Sequence, residues 1–360
     1  MQTQRSVINF EGQNFYIGID VHKKNWIVSI MGEKLLYNTF SQPPSAEALK
    51  SHLEVHYSGG NYFSVYEAGF SGFWAHYALL KAGITNIVVN PADVPTTQKE
   101  KLHKTDPVES KKLARSLRSG ELEAIYVLQK STIEERSLVR ARATIVKDLT
   151  RVKQRIQMFL NNFGIELAES FKDGKGAWSK RFVKWLKEEV PVHLEYAGVS
   201  MKYLVEQFEL MRALLLKITR EVKLLSQTDK YSKGMKLMRS IPGVGLITGI
   251  TFLVEIEDIR RFRNVNHFAG YIGLKPTTHS SGEKDKKGEM TFRGQKVLRR
   301  ALIESTWIAV RVDPVLSAKY NALTERMAKN NALIRIAKKL LSRMYYVLKN
   351  EQEYECGVVK

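Results

Sequence analysis

Residues 15–30, FYIGIDVHKKNWIVSI, leave a chain few ways to fold. An apolar run reaches Asp20, a polar turn follows at residues 22–24, and a second apolar run returns through Trp26, Val28 and Ile30. Two short β-type runs joined by so brief a turn pair as a hairpin. The first strand ends in a carboxylate. An aspartate also starts turns readily by bonding its own backbone, so Asp20 gains meaning only if the rest of the chain supplies further acids.

The next strand-like run spans residues 35–40, after a turn at residues 31–34. Residues 45–56 carry Ala46, Leu49 and Leu53 at helical spacing behind a Pro-Ser boundary. A fourth strand is expected over residues 62–66, running into Glu67 and then AGFSG. A helix follows through Phe73, Trp74, Tyr77 and Leu80, closed by Gly83, and residues 86–89 form a fifth strand. A three-strand meander followed by helix, strand, helix, strand, helix is the order of the RNase H-like fold. Alternating βα units carry functional groups at the carboxyl ends of strands, which selects Asp20 and Glu67. Metal-dependent nucleases place a first ligand where Asp20 stands. Sugar-kinase and actin-like ATPases open on a similar hairpin, but they need glycine-rich phosphate loops repeated in a second half, and no repeat follows residue 130.

Two more acids lie in KTDPVESKKLA, residues 104–114. Pro107 suits the first helical position with Asp106 as its N-cap. Glu109 then lies three residues on, so both carboxylates leave the first helical turn together. By themselves they resemble a capping box. Beside Asp20 and Glu67 they make four acids in a basic chain, which fit an oxygen-ligand cage for Mg²⁺ or Mn²⁺. Two such ions can clamp the attacking and leaving oxygens of a phosphodiester.

The chain has 57 Lys and Arg against 37 Asp and Glu, a formal charge of +20 over 360 residues. That field favours a polyanion, and nucleic acid is the commonest. With 44% hydrophobic residues the chain can bury a sizeable core in two or three domains. No apolar run approaches about eighteen residues and residues 1–13 show no signal-peptide pattern, so a soluble cytosolic chain without a membrane partner is expected. The single cysteine, Cys356, excludes an internal disulfide framework and a multi-cysteine zinc site.

From residue 131 the β-type pattern stops. Ile145, Leu149, Val152, Ile156, Phe159 and Phe163 step by three and four, as do Met201, Leu204, Phe208, Met211, Leu215, Ile218, Val222 and Leu225. This is heptad spacing, expected for a coiled-coil arm that forms either an antiparallel hairpin or a dimer seam. Between the stripes, Trp178, Phe182 and Trp185 mark a short amphipathic helix. Further on, LMRSIPGVGLITG at residues 237–249 resembles a helix-hairpin-helix element, whose turn N–H groups can hold a phosphate.

Residues 273–300, GLKPTTHSSGEKDKKGEMTFRGQKVLRR, are the most polar part of the last third. Lys275, Lys284, Lys286, Lys287, Arg293, Lys296, Arg299 and Arg300 make this a nucleic-acid contact loop, with Lys104 beside the acidic pair as a further contact. Ser281, before Gly282, sits among these cations as a hydrogen-bond donor or as a nucleophile whose phosphorane-like charge they would stabilise. Residues 311–348 read as helical, with Leu333, Ile336, Leu340 and Met344 on one face and Arg335, Lys338 and Lys339 on the other.

In order, IGIDVHKK, YEAGFSG, VNP, KTDPVESKKLARSLRSGEL, IPGVGLIT, RRF, AGYIGLKP, HSSG and RGQKVLRRALIESTW resemble the DEDD-type transposases of insertion-sequence family 110 and the related Piv-like invertases. The resemblance implies an α/β plus all-α chain. A RuvC-like (RNase H-like) domain over residues 1–128 would be followed by a coiled-coil arm over 129–230. A mainly helical transposase domain over 231–360 would contain the helix-hairpin-helix-like element. It implies Asp20, Glu67, Asp106 and Glu109 as the metal-binding acids and Ser281 as nucleophile, forming a covalent phosphoserine intermediate during cutting and rejoining of DNA. The family's last acid is usually Asp, whereas this chain has Glu109. The implied partners are DNA at the element ends and target and a structured noncoding guide RNA. Homodimers pairing into tetramers are implied as well, with the acids of one subunit serving the serine of another, in the prokaryotic cytosol or nucleoid. A site-specific invertase, a hydrolytic RuvC-like nuclease and a nucleic-acid-binding protein with an impaired site are the alternatives.

Overall fold

The computed structural model describes residues 10–102, 105–172, 174, 176–281, 284–290 and 294–356. The chain divides into two compact units, Met1–Val127 and Leu128–Lys360.

The first unit runs β1 (Asn14–Val21), β2 (Trp26–Met31), β3 (Leu36–Gln42), α1 (Ala46–His56), β4 (Asn61–Glu67), α2 (Trp74–Lys81), β5 (Thr85–Val89), α3 (Gln98–Leu102) and α4 (Asp106–Arg118). The sheet order is β3-β2-β1-β4-β5. The pairs β1–β2 and β2–β3 are antiparallel, and β1, β4 and β5 run parallel. A meander closed by two parallel strands in this order is the RNase H-like arrangement expected from the sequence. On one face Phe15, Ile17, Ile19, Trp26, Val28 and Ile30 are buried with Leu49, Leu53 and Leu79 from α1 and α2. Ser45 starts α1 by accepting the Ala48 N–H at 3.1 Å.

The opposite face is covered by α4, and one glycine makes this possible. A Cβ on Gly18 would lie 2.0 Å from the carbonyl oxygen of Ser110 and 2.5 Å from the nitrogen of Ala114. No side chain fits there, so the helix rests directly on the central strand. The hydroxyls of Ser29 and Ser110 meet at 2.8 Å across the same contact, and Leu113 packs with Val65, Val89 and Val94.

The second unit contains α5 (Lys130–Asn162), α6 (Glu169–Lys172), α7 (Lys180–Glu188), α8 (Tyr196–Ser226), α9 (Asp229–Arg239), α10 (Leu246–Ile256), α11 (Val265–Ile272), the hairpin β6 (Pro276–Ser281) and β7 (Lys284–Met290), then α12 (Lys296–Val312), α13 (Pro314–Thr324) and α14 (Lys329–Asn350). α5 and α8 pack antiparallel: Arg142 donates to Thr219 at 3.0 Å, and Arg155 reaches Gln207 at 3.5 Å. Val152, Ile156 and Leu160 meet Met201, Val205 and Phe208, with Phe182, Trp185 and Leu186 of α7 closing the cluster. Phe163 departs from the expected stripe: the helix ends at Asn162, and the ring is 49% exposed.

A second cluster joins α9–α14 to the root of the arm. Glu255, 1% exposed, accepts from Arg140 at 2.6 and 2.8 Å. Glu257, held at φ +57, accepts the Gln129 N–H at 3.1 Å and the Thr132 hydroxyl. It supplies the α5 cap that Gln129's own side chain does not make. α9 and α10 are joined by a short turn over residues 240–245, where the sequence resembles a helix-hairpin-helix element. Its Gly243, at φ +85, is required by packing, because a Cβ there would lie 2.4 Å from the Ser305 carbonyl oxygen of α12.

Candidate active site

Asp20 lies at the carboxyl end of β1, Glu67 at that of β4, and Asp106 and Glu109 in the first turn of α4. The seating of α4 over Gly18 therefore decides where two of the four acids stand. Asp106 is not the N-cap expected from the sequence. Thr105 is the cap residue, in extended conformation, and its carbonyl accepts the Val108 and Glu109 N–H groups at 2.9 and 3.0 Å. With the helix starting one residue earlier, the Asp106 carboxylate is not spent on a cap and turns to the hairpin instead.

There it meets His22, which in the sequence is only part of a polar turn. His22 Nε2 lies 3.1 Å from Oδ2 of Asp20 and 3.4 Å from Oδ2 of Asp106. Ligand atoms of Asp20, His22 and Asp106 all lie within 4.8 Å of one another. The signal was present as spacing: residues i and i+2 along an extended strand share a face, and the hairpin ladder continues past β1 through the His22 N–H to Asn25 carbonyl bond at 3.1 Å.

Burial is the largest influence on Asp20 and pushes its carboxyl up. The His22 ring pulls it back, while Glu109 and Asp106 push it up further. Glu109 is thus close enough to act on Asp20. Glu67 is engaged elsewhere, its Oε1 3.2 Å from Nζ of Lys112. Lys112 lies three positions beyond Glu109 on α4, and nothing in the local sequence pattern singles it out.

Crowded carboxylates whose mutual repulsion disfavours ionisation are relieved by a cation. Oxygen donors with one imidazole fit a divalent ion, and Asp20, His22 and Asp106 would hold it.

The basic residues are more dispersed. Lys275 and Lys296 are exposed. Arg299 donates to the Gly273 carbonyl at 3.3 Å, and Arg300 pairs with Glu304 at 2.8 Å. The backbone of Ser281 ends β6 opposite Lys284. The side chains of Ser281, Lys284, Lys286 and Lys287 lie outside the described residues, as do Lys104 and Arg293 entirely. Among the described residues no helix is long and apolar enough to cross a membrane.

Residues 17–165 match the DEDD transposase family of IS110 elements, and residues 235–321 match the transposase IS116/IS110/IS902 family. The transposase-like protein y4qE of Sinorhizobium fredii is 29% identical over 242 residues, spanning 67% of this chain and 57% of that relative. The transposase for insertion sequence element IS1111A of Coxiella burnetii is 24% identical over 303 residues, 80% of this chain and 78% of its own length. The pilin gene-inverting protein of Moraxella bovis is 32% identical over 139 residues, 37% of this chain and 42% of its own. With an RNase H-like sheet, acids at its carboxyl rim and matches in both units, the chain belongs to the IS110 family of insertion-sequence DNA transposases.

Proposed function

We propose that this transposase cuts and rejoins DNA at the ends of its own element through two cooperating groups, the acids of one subunit and Ser281 of another. The observation that carries this reading is the meeting of Asp20, His22 and Asp106 at the rim of the sheet. A bound Mg²⁺ or Mn²⁺ would supply Lewis-acid polarisation of the scissile phosphate. Asp20, His22 and Asp106 would hold that ion, and Glu109 would add negative charge beside them. Glutamate at this position, where aspartate is usual in the family, has a longer arm, so Glu109→Asp should change the rate or the preference between Mg²⁺ and Mn²⁺.

Ser281 acts as the nucleophile. Its Oγ forms a bond to phosphorus, the bond from phosphorus to the leaving deoxyribose oxygen breaks, and the serine proton is lost as that oxygen gains one. A hydroxyl of a second strand then displaces the serine, so the energy of the cut bond is kept and no nucleotide cofactor is consumed. Basic residues of 273–300 hold backbone phosphates. A structured RNA from the element selects donor and target by base pairing while the protein reads shape, and the protein works as dimers that pair into a tetramer. These last features rest on the family resemblance.

Ser281→Ala should abolish covalent protein–DNA adducts trapped by denaturation while leaving DNA and RNA binding intact; adducts persisting in that variant would refute the serine role. Asp20→Ala or Asp106→Ala should remove cleavage without unfolding the chain. The similarity to a pilin gene-inverting protein favours a second reading, inversion between fixed sites by the same chemistry. Flanking-sequence analysis of recombinant products distinguishes inverted segments from new insertions.

A further inference from the structure

Lys112 is 7% exposed, with its Nζ 3.2 Å from Oε1 of Glu67. An ammonium buried this far is strongly disfavoured unless an anion compensates, so the pair is built in rather than a wandering surface contact. Its position is fixed by the same packing that fixes the site. α4 rests on Gly18 with no room for a Cβ, and Ser110, two residues before Lys112, is tied to Ser29 at 2.8 Å. Along α4, Asp106, Glu109 and Lys112 follow at steps of three, so two anions and one cation issue from neighbouring turns.

The consequence concerns the number of ions. Asp20, His22 and Asp106 form one group of ligand atoms, and Glu67 is not part of it. A second divalent ion shared with Glu67 would have to displace an ammonium that is already there and has little water to return to. We propose that Lys112 is a resident cation, so that this chain carries one divalent ion per acidic site, with the Lys112 ammonium serving Glu67 in place of a second. This rests on the metal-binding reading given above. Lys112 is thereby a positioning residue: it holds the carboxylate at the end of β4 and limits the site's divalent charge.

The test is a Mn²⁺ titration of the full chain with a short DNA duplex present, following free Mn²⁺ by electron paramagnetic resonance and subtracting the duplex alone. Wild type should bind one ion per chain, Lys112→Arg one, and Lys112→Met two, with Lys112→Met/Glu67→Gln returning to one. Two ions on wild type, or one on Lys112→Met, overturns the proposal while leaving the metal site itself in place. No ion on wild type, or binding unaffected by Asp20→Asn, refutes the metal reading instead. The wild-type stoichiometry decides even if Lys112→Met fails to fold.

Discussion

His22 Nε2 lies 3.1 Å from Oδ2 of Asp20, so a ring from the hairpin turn is laid against the carboxylate that ends the preceding strand. The same nitrogen is 3.4 Å from Asp106, which makes His22 the bridge between β1 and α4. His22→Ala removes one of the three groups that would hold the ion and should weaken Mn²⁺ binding by about tenfold or more, at least the cost of losing an outer partner of a ligand. Titration calorimetry on both proteins measures it.

The Asp20 carboxyl is pushed above its ordinary value of 3.8, chiefly by burial. The native state then holds this proton more tightly than the unfolded chain does. Stability is therefore lost as pH rises through the interval above 3.8, and the loss is complete once native Asp20 is ionised. In metal-free buffer at pH 7, Asp20→Asn should have the higher urea midpoint, and the difference should vanish below pH 3.8.

Gly18→Ala tests the seat of α4. The added methyl meets Ser110 and Ala114 backbone atoms at 2.0 and 2.5 Å, which side-chain motion cannot relieve. The helix must lift, at a cost of about 3 kcal/mol or more. Strand transfer should fall with it, because Asp106 and Glu109 move with the helix. A variant with wild-type stability and activity would show that the contact is not tight.

Arg140→Ala removes both hydrogen bonds to a carboxylate that is 1% exposed. Only Arg136, at 3.8 Å, is left facing Glu255 among the charged pairs of the described residues. Stranding a buried charge costs about 3–5 kcal/mol, and the remaining arginine places this variant near the lower figure. Denaturant unfolding of the full chain should show the loss.

The Tyr354 hydroxyl donates to Asp313 at 2.8 Å and is pushed up to about 12 by burial and then by that aspartate. The native state prefers the neutral phenol, so wild type loses this contribution as pH rises from 10 towards 12. Tyr354→Phe should be less stable at pH 7 by about 1.5 kcal/mol and should fall less steeply over the alkaline interval. Thermal melts at stepped pH would show both.

The sheet was legible because its strands are short, apolar and separated by strong turn residues. The alternation of Val28 and Ile30 with Ile27 and Ser29 survives whatever packs above it. The antiparallel pairing of α5 and α8 was not legible, since a heptad stripe records that a face is buried and not what buries it. Asp20 and Glu67 could be located because a strand end is a position along the chain. The cap lies at Thr105, one residue before the Asp106 that local spacing suggests, because helix starts are set by which carbonyl first accepts a bond.

By itself the sequence determined the element order, the basic charge and the acids available at the rim of the sheet, because these depend on local patterning and on residue type. Which acids meet was decided only by tertiary structure. A missing Cβ at Gly18 lets α4 settle onto β1, and from that single approach Asp106 reaches His22 while Lys112 reaches Glu67. Hairpin residues 15–30 therefore supply two of the three converging ligands, and the third arrives because a helix about 90 residues along the chain has no side chain beneath it.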